Sequence, residues 1–192
     1  MLNQHQTLKD NIEKFNKNNP LADYLVKFIE DKSDLVRILD VGSGPYSIIG
    51  DHLEGKNLYV QHCDNQDFSD FWKKYQATPV IPIELDNMEQ LARPNEIYDL
   101  VTCINALDHT PNAQRAVEEM IRVCKKGGWV YLVLYLDQRS TGHKHFWDAK
   151  EDGVMVGDVS EFDLKDFGFK IQYEDSGMER RYSRIIATLQ KI

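Results

Sequence analysis

The sequence predicts an α/β chain, with a mostly parallel sheet, helices on both faces and an antiparallel strand at its C-terminal end. Short β-favouring apolar runs recur from Arg37 to Leu136, separated by polar or glycine-containing turns. One of them, Trp129 to Leu136, is almost uninterruptedly apolar, as suits a strand buried on both faces in the middle of a parallel sheet. Two last strands, Phe169–Tyr173 and Tyr182–Leu189, are joined by Ser176-Gly177-Met178-Glu179-Arg180-Arg181, short enough for a hairpin.

Taken in order, Gln6 to Phe15 and Leu21 to Glu30 read as two helices broken at Asn18-Asn19-Pro20, with Leu21, Leu25, Phe28 and Ile29 on one face of the second. The first strand ends in Arg37-Ile38-Leu39-Asp40-Val41-Gly42-Ser43-Gly44-Pro45-Tyr46, and Ser47 to Lys56, with Gly50 and Gly55, leaves room for only a short helix. Leu58 to Asp64 is the second strand, Pro79 to Ile83 a short third and Tyr98 to Ile104 the fourth. Thr110 as N-cap and Pro111 in the first turn open a helix over Ala113–Cys124, with Ala116, Val117, Met120, Ile121 and Cys124 at helical spacing and Lys125-Lys126-Gly127-Gly128 as its stop. Asp137 to Ser160 leaves the fifth strand as a long loop.

Composition bounds the function. The chain has 192 residues, enough for one α/β domain with a substantial core, and a formal net charge of -8 that disfavours a nonspecific nucleic-acid binder. The expected organisation is a single domain over 1–192, with an N-terminal helical part (1–33) and a core (34–192). Cys63, Cys103 and Cys124 lie in or beside core elements and read as reduced, packed thiols. No signal peptide or apolar span of membrane length stands out, so a cytoplasmic location is expected.

The chemistry concentrates at predicted strand ends. Asp40 followed by Gly42-Ser43-Gly44 places a carboxylate and two glycines at the sheet's carboxyl edge, where the backbone can approach a nucleoside-bearing cofactor. A dinucleotide fingerprint needs a third glycine, and Ser47 stands in its place. Asp40 would also repel a pyrophosphate, whereas S-adenosylmethionine has no phosphate and carries an ammonium. About 20 residues beyond Gly44, Asp64 ends the second strand where a ribose-binding acid belongs, with Asn65 beside it. Asn105, Asp108 and His109 precede the helix after the fourth strand and should face the crevice. Gly142-His143-Lys144-His145-Phe146-Trp147-Asp148 offers imidazoles, an indole and an acid from the long loop.

These residues resemble the class I methyltransferases that use S-adenosylmethionine, whose first motif is an acidic residue followed by Gly-x-Gly. The resemblance covers about residues 35–136 well. The set Asp-Val-Gly-Ser-Gly-Pro, Asn105-Ala-Leu-Asp-His-Thr and His145-Phe-Trp147-Asp148 further resembles a group of small bacterial, type 11-like methyltransferases often associated with sugar or surface-glycan pathways. The resemblance implies a Rossmann-like sheet closed by an antiparallel strand. It also implies a cofactor set of Asp40, Gly42, Ser43, Gly44 and Tyr46 around the methionine part, Asp64 and Asn65 at the ribose, Asp86 (or Glu84) at the adenine amino group, and Asn105-Ala106 at the amino-acid end. The N-terminal helices would cover the cofactor cleft, or else simply pack outside the sheet.

The expected reaction is methyl transfer to a small-molecule or glycan-precursor acceptor, on oxygen or nitrogen. A hydroxyl acceptor needs a base, and His109 or His145 has a suitable pKa, with Asp108 able to orient either. His143, His145, Asp137 and Asp148 carry metal-ligand atoms, but no complete ligand set can be placed, so no metal is expected. The alternatives are a nucleotide-dependent dehydrogenase, disfavoured by Asp40 and Ser47, and a non-catalytic S-adenosylmethionine-binding module.

Overall fold

The computed structural model describes residues 19–32, 34–75, 81–138, 145–178 and 182–192. The predicted helix at 6–15, Pro79 and Val80 of the third strand, His143, and Glu179 to Arg181 of the hairpin turn lie outside them. Seven strands form the main sheet: β1 (Val36–Val41), β2 (Leu58–Asp64), β3 (Ile83–Leu85), β4 (Tyr98–Ile104), β5 (Cys124–Tyr135), β9 (Lys170–Glu174) and β10 (Arg184–Gln190). Their order is β3-β2-β1-β4-β5-β10-β9. The strands from β3 to β5 are parallel, and β10 runs antiparallel to both β5 and β9. The order reverses direction between β1 and β4, and in open α/β sheets such a switch point opens a crevice at the carboxyl ends of the strands.

Burial follows the strand alternation. Every residue of β1 is buried except Arg37, and β4 is buried through Cys103. Leu39, Val41, Val101 and Cys103 face one core together with Ala116, Val117 and Met120 of the helix α3 (Ala113–Val123). Val36, Ile38 and Leu100 face a second core with Leu21, Leu25, Phe28 and Ile29; of the predicted helix over Leu21 to Glu30 only the short helix α1 (Asp23–Val26) forms, with Leu21 preceding it and turns carrying Phe28 and Ile29 after it. The result is a sheet with helical layers on both faces, as the sequence predicts.

Several boundaries differ from the sequence reading. The β1–β2 connection, residues 42–57, contains no helix. Instead it is strapped to the N-terminal segment by Leu21 N–H to His52 O (2.6 Å) and Ala22 N–H to Ile49 O (2.8 Å). Helix α3 begins at Ala113 rather than at Pro111, because Asn112 is the cap and its side chain accepts from Arg115 N–H at 3.0 Å. The Thr110 hydroxyl is engaged elsewhere, donating to Glu89 Oε1. Lys125 to Gly128 is not a helix stop but the start of β5, in an irregular stretch opposite Asp99, whose carboxylate pairs with Lys125 Nζ at 2.9 Å. The third strand falls at Ile83–Leu85, later than predicted.

The largest correction concerns the long loop. Its described part carries a second sheet of β6 (Asp148–Ala149), β7 (Val154–Val156) and β8 (Glu161–Asp163). Trp147, Ala149, Met155 and Phe162 bury into the same core as α3, which anchors strands too short to hold alone. Among the described residues, no helix is long and apolar enough to cross a membrane.

Candidate active site

Beginning at β1, Gly42 N–H donates to Cys63 O at 2.8 Å, which turns the chain across the end of β2. Gly42 has φ +69°, and a Cβ there would overlap Ala106 Cβ, so the turns after β1 and β4 touch at the switch point only because residue 42 lacks a side chain. Gly44 also has a positive φ, +67°, but a Cβ on it would meet nothing within 4 Å. Its backbone is therefore open to an approaching ligand.

Four predicted site acids are buried at successive strand ends: Asp40, Asp64, Asp86 and Asp108 are each 9% exposed or less. Asp40 is tied on both oxygens, accepting from Thr102 Oγ1 at 2.7 Å and from Ser47 Oγ at 2.6 Å. Ser47, the residue in place of a third glycine, thus has a positive function, pinning the loop to the strand. Sequence reasoning missed Thr102 and Ser47 as partners of Asp40, although a hydroxyl within the otherwise apolar β4 was the available signal for Thr102. His62, the register partner of Asp40 on β2, is buried beside it with Nδ1 at 3.6 Å from Asp40 Oδ2.

Asp64 accepts Gly44 N–H on Oδ2 and Gln66 N–H on Oδ1, both at 3.0 Å. One carboxylate therefore shapes the glycine turn from the neighbouring strand. Asp86 N–H donates to Asp64 O at 2.8 Å, and the Asp86 carboxylate accepts Asn87 N–H (2.9 Å) and Ala92 N–H (3.1 Å). Glu84, the alternative to Asp86, instead pairs with Arg93 at 2.7 Å and has a half-exposed side chain. Asn65 is exposed next to Asp64, and Ser43 and Tyr46 are half-buried in the turn. Tyr46 faces Phe71 of the helix α2 (Ser69–Tyr75), with ring centroids 6.4 Å apart. Burial pushes the thiols of Cys63 and Cys103 up, and neighbouring carboxylates add to it, so both stay neutral and packed rather than nucleophilic.

At the end of β4, Asn105 takes φ +52° and is exposed, while its N–H donates to Val133 O at 2.8 Å. A 3₁₀ turn over Leu107–His109 follows. Phe146 N–H donates to Asp108 O at 2.8 Å and the Trp147 indole to Thr110 O at 3.0 Å, docking the 145–147 segment onto this turn. That docking places His145 Nδ1 2.6 Å from Asp108 Oδ2, both side chains buried. His109 is exposed and lies against His145, ring centroids 4.2 Å apart. Of the two histidines, Asp108 orients His145. Asp137 and Asp148, which carry ligand atoms but were not expected to hold a metal, lie apart in other pairings: Asp137 is 3.7 Å from Lys150, and Asp148 pairs with Val156 across β6 and β7.

A switch-point crevice with an open glycine turn and buried acids, but no third glycine, defines an α/β fold for a nucleoside cofactor that carries positive charge. Comparison with known proteins agrees, residues 39–132 matching the methyltransferase domain family. A ubiquinone biosynthesis O-methyltransferase from Paracidovorax citrulli is 31% identical over 100 residues, 50% of this chain and 42% of that protein. The chain thus spans about half the length of the curated relatives it matches. Among solved structures, a S-adenosylmethionine-dependent methyltransferase from Methanosarcina mazei has a TM-score of 0.55 at 18% identity, covering 90% of this chain and 99% of that one. Magnesium protoporphyrin IX methyltransferase from Synechocystis PCC 6803, solved with bound S-adenosylmethionine, has a TM-score of 0.53 at 16% identity, covering 98% and 80%. By its fold and by the match over residues 39–132, the chain is similar to the class I methyltransferases, whose cofactor is S-adenosylmethionine.

The residues present fit that cofactor. Asp64 and Asp86 are buried carboxylates at neighbouring strand ends, the acceptor chemistry that a ribose diol and an adenine amino group require, and Gly44 leaves its face open.

Proposed function

We propose that this chain transfers a methyl group from S-adenosylmethionine to a hydroxyl oxygen of a small-molecule acceptor. The observation that carries this reading is that Asp108 and His109, on the turn immediately after Ala106, the residue that packs on Gly42, meet His145 from the segment docked onto that turn. A proton-accepting cluster therefore adjoins the glycine turn. The relatives named as O-methyltransferases support oxygen as the atom methylated.

In this reading Asp64 and Asn65 hold the ribose, Asp86 the adenine, and Gly42, Ser43, Gly44, Tyr46 and the Asn105-Ala106 backbone the amino-acid part. Asp40 acts through Ser47 and Thr102, keeping the turn in place and contributing negative charge beneath a cationic ligand. When bound, the cofactor supplies an electrophilic methyl group on a sulfonium sulfur. The protein aligns the acceptor and takes its hydroxyl proton onto imidazole nitrogen, with Asp108 holding His145 and stabilising the imidazolium that results. Sugars and glycan precursors are the acceptor class favoured by the acidic surface balance and by the likeness of the His145-Phe-Trp147-Asp148 region to glycan-associated methyltransferases.

Calorimetric titration with S-adenosylmethionine, its demethylated product and NADH tests the cofactor, and a screen of sugars, their nucleotide conjugates and phenols tests the acceptor. Saturable binding of both adenosyl ligands followed by methyl ether formation is expected. Binding of NADH alone would return the chain to the dehydrogenase reading, and adenosyl binding without turnover on any hydroxyl acceptor would make it a binding module.

A further inference from the structure

We propose that Asp108, His109 and His145 form a binding site for a divalent transition-metal ion. Each offers one ligand atom, and these atoms all lie within 4.8 Å of one another. The donor set, two imidazoles and one carboxylate, suits zinc, cobalt, nickel, iron or manganese better than magnesium or calcium, which prefer oxygen alone.

The independent observation is the state of the Asp108 carboxylate. Its side chain is 3% exposed, Oδ2 is engaged by His145 Nδ1, and Oδ1 is buried with no hydrogen-bond partner. Buried carboxylate oxygens are normally satisfied, and an unsatisfied one on a carboxylate that already groups with two imidazoles is an acceptor that a cation can complete. The 2.6 Å contact between His145 Nδ1 and Asp108 Oδ2 also holds these two side chains in fixed register. The cluster is preformed by the groups that dock the 145–147 segment rather than by the histidines themselves. Phe146 N–H and the Trp147 indole fix the 145–147 segment on the carbonyls of Asp108 and Thr110, and His109 is carried by the same 3₁₀ turn as Asp108.

Three protein ligands leave positions open on the ion, as in catalytic rather than structural metal sites. The ion's role rests on the methyl-transfer reading above, although its binding does not. An acceptor hydroxyl entering an open position would lose its proton to solvent at neutral pH, because the cation lowers its pKa, and the ionised oxygen would then form the new bond to the methyl carbon as the carbon–sulfur bond breaks. With the ion in place the imidazole nitrogens are ligands; without it they take the proton themselves.

The test uses the full chain, treated with chelator and dialysed, then titrated with Co²⁺ while visible d–d absorption is followed, and with Zn²⁺ by calorimetry. One ion per chain is expected. Asp108→Asn and His145→Ala should each weaken binding about tenfold or more, and His109→Gln, at an exposed position that leaves the core intact, should weaken it as well. Absence of saturable Co²⁺ binding, or binding unchanged in the His109→Gln protein together with either buried-site variant, would overturn the proposal. S-adenosylmethionine titration of the same samples separates the two ideas: cofactor binding without metal leaves methyl transfer standing on free imidazole, and metal binding without cofactor removes the functional reading and keeps the site.

Discussion

Replacing Asp64 by alanine perturbs two things at once. The carboxylate is 9% exposed and accepts Gly44 N–H and Gln66 N–H at 3.0 Å each, so its loss frees the glycine turn from β2. It also removes the acceptor for the two ribose hydroxyls of the cofactor. Hydrogen bonds to a charged group contribute about 1.5–3 kcal/mol each, so losing two to the ligand at the lower figure costs about 3 kcal/mol. That corresponds to roughly a 100-fold rise in Kd for S-adenosylmethionine, before any cost of reordering the turn. Asp64→Asn keeps one carbonyl acceptor and should fall between wild type and the alanine variant. Calorimetry measures all three, with thermal melts confirming that each protein is folded. Asp67, exposed and capping Ser69, provides a control whose alanine variant should bind the cofactor as wild type does. If Asp64→Ala binds within threefold of wild type, the ribose assignment is wrong and the carboxylate serves only the turn.

Gly42→Ala and Gly44→Ala should differ, although both residues have positive φ. The first adds an overlap with Ala106 Cβ to the left-handed strain and should cost about 2–4 kcal/mol in urea denaturation, whereas the second meets nothing and should cost about 1 kcal/mol. Asp108→Asn and His145→Ala should lower kcat about 100-fold or more while leaving the S-adenosylmethionine Kd within a few-fold, because neither residue is assigned to the cofactor. Glu119 is 3% exposed and receives Arg122, Arg115 and Leu91 N–H, so Glu119→Gln should destabilise the chain by about 2 kcal/mol, less than a fully buried pair because both arginines keep part of their hydration. Arg122, ahead of Leu91 and Arg115, holds the Glu119 carboxyl below the usual carboxylate range. Its contribution is therefore complete above the ordinary glutamate value of about 4.3 and fades as pH falls through the lowered folded value, so variant and wild-type melting temperatures should converge in acid.

Much of the fold was legible because its central elements carry local signatures. Leu58–Asp64 and Tyr98–Ile104 occur as strands at the predicted bounds, since each is a β-favouring run closed by polar residues. The acids that end β1 and β2 were legible for the same reason, as the last residue or nearly the last of such a run. The strands β6, β7 and β8 were not, because two or three residues carry no periodicity, and what holds them is burial of Trp147, Met155 and Phe162 in the core that α3 also lines. The cap of α3 was misplaced because Thr110 and Asn112 are both competent, and Glu89, distant in sequence, claims the Thr110 hydroxyl and Asn112 N–H.

The sequence by itself determined the parallel sheet, the glycine turn after Asp40, the acids at the strand ends and the family they point to, because each depends on residues within a few positions of one another. Only the tertiary structure decided which groups those acids serve. Asp40 meets Ser47 from the loop and Thr102 from β4, Asp64 meets Gly44, and Asp108 holds His145 rather than its neighbour His109. The last pair is separated by 37 residues and exists because Phe146 and Trp147 dock on the turn after β4. Local propensity has no term for such a contact. It arises when two segments bury their apolar side chains in one core and their polar atoms must then find partners across the seam.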